Sequence, residues 1–118
     1  MSKNRESGRL ERRASQRTGI ARRVRYRVVR RGPVGLSGVG KTRNMSSGGM
    51  LIETEQLLLP GWRVQIEVSG PFQVDDHVFP KLLVTGKIIR SVSNPVPLAG
   101  LQISSHSFEM PYAGQPKA

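Results

Sequence analysis

The sequence predicts a small all-β protein, an antiparallel barrel or sandwich of five or six short strands. Three observations carry this. The chain has 118 residues, about one domain's worth of core. Its hydrophobic residues alternate with polar ones at a period of two rather than recurring every three or four positions. Gly/Pro turn signals separate the alternating runs, and no stretch of helical period lies between them.

Taken in order, residues 1–11 (MSKNRESGRLE) are polar and basic, with nothing to pack, and are expected to be a flexible arm. From Arg23 the alternation is strict. Val24, Tyr26 and Val28 share one face and Arg23, Arg25 and Arg27 the other, which predicts a half-buried strand with a solvated basic outer face. Residues 32–49 hold six glycines, which excludes a long helix and reads as a Gly-rich hairpin joining two strands. Met50–Thr54 is a short strand. Pro60-Gly61 turns the chain into a second strict alternation, in which Trp62, Val64, Ile66 and Val68 face the core. Gly70-Pro71 and Asp75-Asp76 are turn signals. Lys81–Ser93 is a longer strand with a bulge expected at Gly86. Asn94-Pro95 and Pro97 lead into Leu98–Ser104, where Ala99, Leu101 and Ile103 share a face. The remaining residues, 105–118, have two prolines, a glycine and no period, and are expected to be a frayed or short-helical tail.

Composition removes whole classes of function. There is no cysteine, so disulfides, thiolate metal sites and cysteine catalysis are excluded. No stretch approaches the ~18 apolar residues of a membrane span, and residues 1–31 contain no apolar signal core. A cytoplasmic protein without membrane insertion is therefore expected. Charge is concentrated at one end. Residues 1–31 hold eleven Arg and one Lys against Glu6 and Glu11, a net +10 of the chain's +11. Such a segment attracts a phosphate-bearing partner. The excess of Arg over Lys favours phosphates and guanine edges, which a planar guanidinium fork matches and a point charge does not.

Two motifs bear on that partner. Gly35-Leu-Ser-Gly-Val-Gly40-Lys41-Thr42 satisfies the G-x-x-x-x-G-K-[ST] pattern in full. A working P-loop needs a helix starting at the Lys, because the helix N-terminus completes the anion site. Here Gly48 and Gly49 follow within two turns, and no later segment reads as four apolar residues ending in Asp. The hairpin reading is preferred, with an ATP- or GTP-binding P-loop as the lesser alternative.

The second constellation is quieter. Arg13-Ala-Ser-Gln-Arg17, with Arg12 beside it, precedes the first strand. Asn44-Met-Ser46-Ser-Gly48-Gly49 follows that strand, at the end of the Gly-rich stretch. Together these resemble the two signature motifs of PilZ domains, R-x-x-x-R and [DN]-x-S-x-x-G, in the right order and at a plausible separation. The likeness extends over about residues 11–104. Lys41–Thr54 resembles the second motif and its following strand, Pro60–Val68 the G-x-x-V-x-L strand, and Gly86–Arg90 and Ala99–Ile103 the closing strands. The resemblance implies a six-stranded antiparallel, split β-barrel that binds the bacterial second messenger cyclic di-GMP and signals to an effector protein. Arg12, Arg13, Arg17, Asn44, Ser46, Gly48 and Gly49 are the ligand-binding residues it implies. Their chemistry suits that ligand. Arg forks match phosphate or the guanine O6/N7 edge, and their flat faces stack on purines. Ser46 can donate a hydrogen bond, Asn44 can accept one from guanine, and Gly48/Gly49 permit close backbone approach.

The expected organisation is a basic arm over residues 1–11, a PilZ-like barrel over 12–104 and a tail over 105–118. The expected function is a stand-alone, non-enzymatic receptor whose Arg-bearing arm orders over the ligand. The principal alternative is a basic β-barrel that binds nucleic acid nonselectively through its arm, although single-strand binding needs more exposed aromatics than this chain offers. Asn44-x-Ser46 read alone is also compatible with an Asx-turn. No cofactor is expected. Asp75-Asp76-His77 invites a metal reading, yet His77 and His106 are the only histidines and neither has a second at ligand spacing. No metal site or catalytic residue is assigned, and the sequence assigns no oligomeric state.

Overall fold

The computed structural model describes residues 21–109. They form six strands and no helix: β1 (Arg23–Arg30), β2 (Ser37–Met45), β3 (Gly49–Thr54), β4 (Arg63–Val74), β5 (His77–Val92) and β6 (Leu98–Glu109). The strands close into a barrel in the order β1-β2-β3-β6-β5-β4, with β4 returning to β1 and every neighbouring pair antiparallel. The six-stranded antiparallel barrel expected from the family resemblance is the fold observed.

Alternation places the core. Val24, Tyr26 and Val28 of β1 are buried, while Arg23, Arg25 and Arg27 between them are exposed. Val64, Ile66 and Val68 of β4 are buried in the same way, and so are Met50 and Ile52 of β3, Leu82, Val84 and Ile88 of β5, and Ala99 and Leu101 of β6. Leu58, from the β3–β4 loop, is fully buried beside them. The bulge expected at Gly86 is present as a register shift between Thr85 and Gly86.

Direction follows from the topology. The 31–36 turn, the 55–62 loop and the 93–97 loop share one end of the barrel, called here the loop end. The 46–48 turn, the 75–76 hairpin and Arg22, which leads into β1, lie at the other, the entry end.

Three sequence expectations need correction. The Gly-rich stretch is not all hairpin: the turn is confined to residues 31–36, and Ser37–Met45 is the strand β2. Glycine is compatible with a strand here because the backbone has close neighbours. A Cβ at Gly38 would meet the Tyr26 hydroxyl and the Glu55 carboxylate, and one at Gly40 would meet the Glu53 carbonyl. Gly70-Pro71 does not end a strand either; it is absorbed as a bulge within β4, and the chain turns at Asp75-Asp76. Lastly, β6 continues past Ser104 to Glu109, with residues 105–109 paired to Lys81–Thr85 of β5. The polar SSHS run hid this continuation, whose anchor is Phe108, packed 5.2 Å from Phe79 and 5.6 Å from Phe72 between ring centroids. The rest of the expected tail, 110–118, and the arm over 1–11 lie outside the described residues.

Gly40→Ala is expected to destabilise the barrel by roughly 2–3 kcal/mol, because the added methyl has only backbone to displace. Gly48→Ala, which meets open space, should stay within about 0.5 kcal/mol. Urea unfolding of the two variants checks the contrast.

Candidate ligand-binding site

The second motif occupies the β2–β3 connection. β2 carries a register shift between Thr42 and Asn44, after which Asn44 pairs with Leu51 and stands exposed on the outer face. The turn that follows is closed by the Ser46 N–H donating to the Gly49 carbonyl at 2.8 Å, with the Ser46 hydroxyl donating to the same oxygen at a long 3.3 Å. The turn is also tied to the sheet, since the Ile103 N–H donates to the Gly48 carbonyl at 3.0 Å. Gly49 lies opposite Gln102 of β6, where a Cβ would sit 3.1 Å from the Leu101 carbonyl. Asn44, Ser46, Gly48 and Gly49 are thus brought together at one end of the barrel. Both exposed polar side chains are free to turn to a ligand, because the Ser46 hydroxyl gives up only a weak bond.

Arg12, Arg13 and Arg17 lie outside the described residues. Where the chain arrives is nonetheless fixed. The Arg22 N–H donates to the Thr42 hydroxyl at 2.9 Å, and the Thr42 N–H donates to the Arg22 carbonyl at 2.9 Å. The Arg22 guanidinium lies 4.4 Å over the Phe72 ring and donates to the Ser69 carbonyl at 3.3 Å. This cation–π contact and the two hydrogen bonds with Thr42, one to its hydroxyl and one from its backbone N–H, pin Arg22 beside Thr42, close to Asn44 on β2. Sequence reasoning gave Arg22 no role, because its partners Thr42, Ser69 and Phe72 belong to strands distant in sequence.

A second residue escaped notice. Asn44, Leu51, Gly100 and Arg90 form a cross-strand row on the outer face. Gly100 has no side chain there, and the stem of Arg90 lies over it, with Cγ and Nε 3.3 Å from where a Cβ would be. Arg90 therefore shares a face with Asn44. Its strand position was legible in the sequence, but its row was not.

The P-loop alternative is overturned. Gly35 occupies a turn with φ 90°, whereas Lys41 and Thr42 lie in the extended backbone of β2 with no helix following. The Thr42 hydroxyl is buried and engaged by Arg22, so it is no ligand for Mg²⁺. Asp75, Asp76 and His77 form the tip of the β4–β5 hairpin, and no group of three His, Asp or Glu among the described residues is placed to hold a metal. Beside Asn44, Arg43 is held by Glu53 in an ion pair of 2.5 Å.

A family model described as PilZ domain matches residues 11–110. The chain belongs to the PilZ domain family. The match takes in the whole barrel and both motifs, and its end agrees with the close of β6 at Glu109 rather than with the earlier Ser104. Compared with curated proteins and with solved structures, the chain shows no significant match. PilZ domains are known as cyclic di-GMP-binding receptor domains, and this PilZ domain presents the family's second motif on a closed barrel.

With no P-loop at Lys41, Lys41→Ala is expected to have no effect on any nucleotide binding, and such binding is expected not to depend on Mg²⁺. Titration of the variant with and without Mg²⁺ checks both statements.

Proposed function

We propose that this PilZ domain is a stand-alone cyclic di-GMP receptor of the bacterial cytoplasm. The ligand sits against Asn44, Ser46, Gly48 and Gly49, and the segment bearing Arg12, Arg13 and Arg17 orders over it. The observation that supports this reading is the pair of hydrogen bonds between Arg22 and Thr42, which holds Arg22 beside β2 two residues before Asn44.

Reach supports it. Thr42 and Asn44 are about 7 Å apart along β2. Arg17 lies five residues before Arg22 and Arg13 nine, spans of at most about 18 Å and 32 Å in extended chain. Both guanidinium groups can therefore meet a ligand seated on Asn44. The chemistry divides naturally: Arg forks take the two phosphates or stack on the guanines, Asn44 accepts from a guanine edge, and the bare backbone at Gly48 and Gly49 lets the flat ligand lie close. Arg90, on the same face, supplies a further cation.

The switch is an ordering transition. Closing the segment costs backbone and side-chain entropy, and the ligand offsets that cost only where both motifs contribute contacts. The ordered segment then presents a surface to an effector protein, in keeping with a family that acts as receptors rather than enzymes.

Calorimetry with cyclic di-GMP at about 0.15 M salt, where charges are screened beyond about 8 Å, tests the proposal. Binding is expected, with GTP and ATP–Mg²⁺ inactive and the Arg13→Ala/Arg17→Ala double variant silent. Arg17→Ala alone should cost about 1.5–3 kcal/mol, roughly ten- to a hundredfold in affinity, from lost charge-assisted bonds. Arg25→Ala, on the solvated face of β1, should cost far less. Equal losses, together with a steep fall of affinity with salt, would instead mark a nonselective nucleic-acid binder.

A further inference from the structure

The loop end carries a feature the ligand site does not use. Val34, 73% exposed, stands at the tip of the 31–36 turn, and Leu57 and Leu59, 40% and 43% exposed, flank the buried Leu58 in the adjoining loop. The two segments pack together into one surface. The Trp62 ring packs on Gly32, where a Cβ would come within 2.7 Å of it, and Trp62 and Gly61 exchange backbone hydrogen bonds with Ile88 of β5 at 2.9 and 2.7 Å.

Directly behind these apolar tips lies a row of cations. Arg30 of β1 pairs with Arg63 of β4, which pairs with Lys87 of β5. All three face outward, strands about 4.8 Å apart, and Arg31 adjoins them in the turn. Like charges directly opposite one another destabilise a sheet. Residues 28–36, 57–66 and 86–104 contain no Asp or Glu to relieve this. The ion pairs among the described residues, Arg43–Glu53 and Lys81–Glu67, lie elsewhere. Glu55, at the start of the 55–62 loop, accepts from the Val39 N–H on the β2 side.

We propose that the loop end docks on an anionic lipid surface, with Val34, Leu57 and Leu59 entering the headgroup boundary and Arg30, Arg31 and Arg63 meeting lipid phosphates behind them. This goes beyond the receptor reading and does not depend on it. The layering is the reason to choose lipid. Apolar side chains at the outermost points, with cations one layer back, match the depth order of a bilayer interface, where acyl boundary lies beneath phosphate. A nucleic acid would be met by cations and aromatic platforms rather than aliphatic tips. A rigid protein partner is better served by a concavity. Two clefts among the described residues lie elsewhere, one across the outer face of β1, β4 and β5 around Arg25, Gln65 and Leu83, the other between Arg23 and Glu55. Docking in this way leaves the ligand-binding turn at the end of the barrel away from the membrane.

The test is sedimentation of the full chain with vesicles of phosphatidylcholine carrying phosphatidylserine as the minor component, against phosphatidylcholine alone. The wild type should bind the anionic vesicles. Val34→Asp/Leu59→Asp and Arg30→Glu/Arg63→Glu should each lower the partition coefficient at least about tenfold. Arg23→Glu/Arg25→Glu, an equal charge change elsewhere on β1, should lower it much less. Thermal melting and cyclic di-GMP titration of each variant separate loss of docking from loss of fold and from any failure of the receptor reading. The proposal is overturned if the wild type does not bind, if Val34→Asp/Leu59→Asp binds normally, or if the two charge reversals lose equally. Loss of RNA binding rather than vesicle binding in the loop-end variants also overturns it.

Discussion

Strand β1 holds the barrel shut. It pairs with β2 along one edge and β4 along the other, so closure depends on its register being right on both sides at once. A slip of one residue would turn Val24, Tyr26 and Val28 outward and drive Arg23, Arg25 and Arg27 into the core, a loss no surrounding layer could repair. Among the described residues there is no helix to cover an edge or a face, so closure is the means by which this small sheet leaves few unpaired edges. The basic alternation in β1 thus fixes the register and also supplies much of the barrel's positive outer face.

The same strand positions the site. Because β1 and β2 are paired, the residue that precedes β1 is carried to Thr42, and its exchange of hydrogen bonds with Thr42 continues the ladder by one step. Arg22 and the Asn44–Gly49 turn are well separated in sequence, yet the β1–β2 hairpin between them brings Arg22 beside Thr42, two residues before Asn44. A change in the length of β1 or β2 would therefore shift Arg22 relative to Asn44 without touching either residue.

Much of this was legible in the sequence. Period-two alternation identifies β1, β4 and the first half of β6, and the turn signals at Pro60-Gly61 and Asn94-Pro95 fall where the chain turns. What failed has physical causes. Ser37–Met45 carries four residues, Gly38, Gly40, Lys41 and Asn44, that weigh against a strand by propensity, and only the neighbouring Tyr26, Glu53 and Glu55 show why glycine is needed there. Ser104–Ser107 has no apolar residue to reveal its pairing, which is set by Phe108 finding Phe72 and Phe79. In the site, Asn44, Ser46 and the two glycines were legible as a motif. Arg22 and Arg90 were not, since a cation over Phe72 and a stem laid across Gly100 are products of tertiary register.

Charge and geometry make separate contributions to selectivity. Residues 1–31 carry +10 and the other 87 residues +1, so long-range attraction belongs to the N-terminal segment and acts on any polyanion. At physiological salt that attraction fades beyond about 8 Å, and a long nucleic acid, with many phosphates to engage, gains more from it than a ligand with two. Charge alone would therefore favour the wrong partner. In the proposed receptor, preference for a small dinucleotide would come from the barrel face, where the exposed Asn44, the Ser46 hydroxyl and the bare backbone of Gly48 and Gly49 stand within one turn held by the Gly49 and Gly48 carbonyls. A polymer strand gains little from a pocket-sized arrangement of this kind, whereas a compact cyclic ligand can satisfy all of it at once. In the proposed receptor the segment would concentrate anions near the barrel, and the turn would decide which of them is retained.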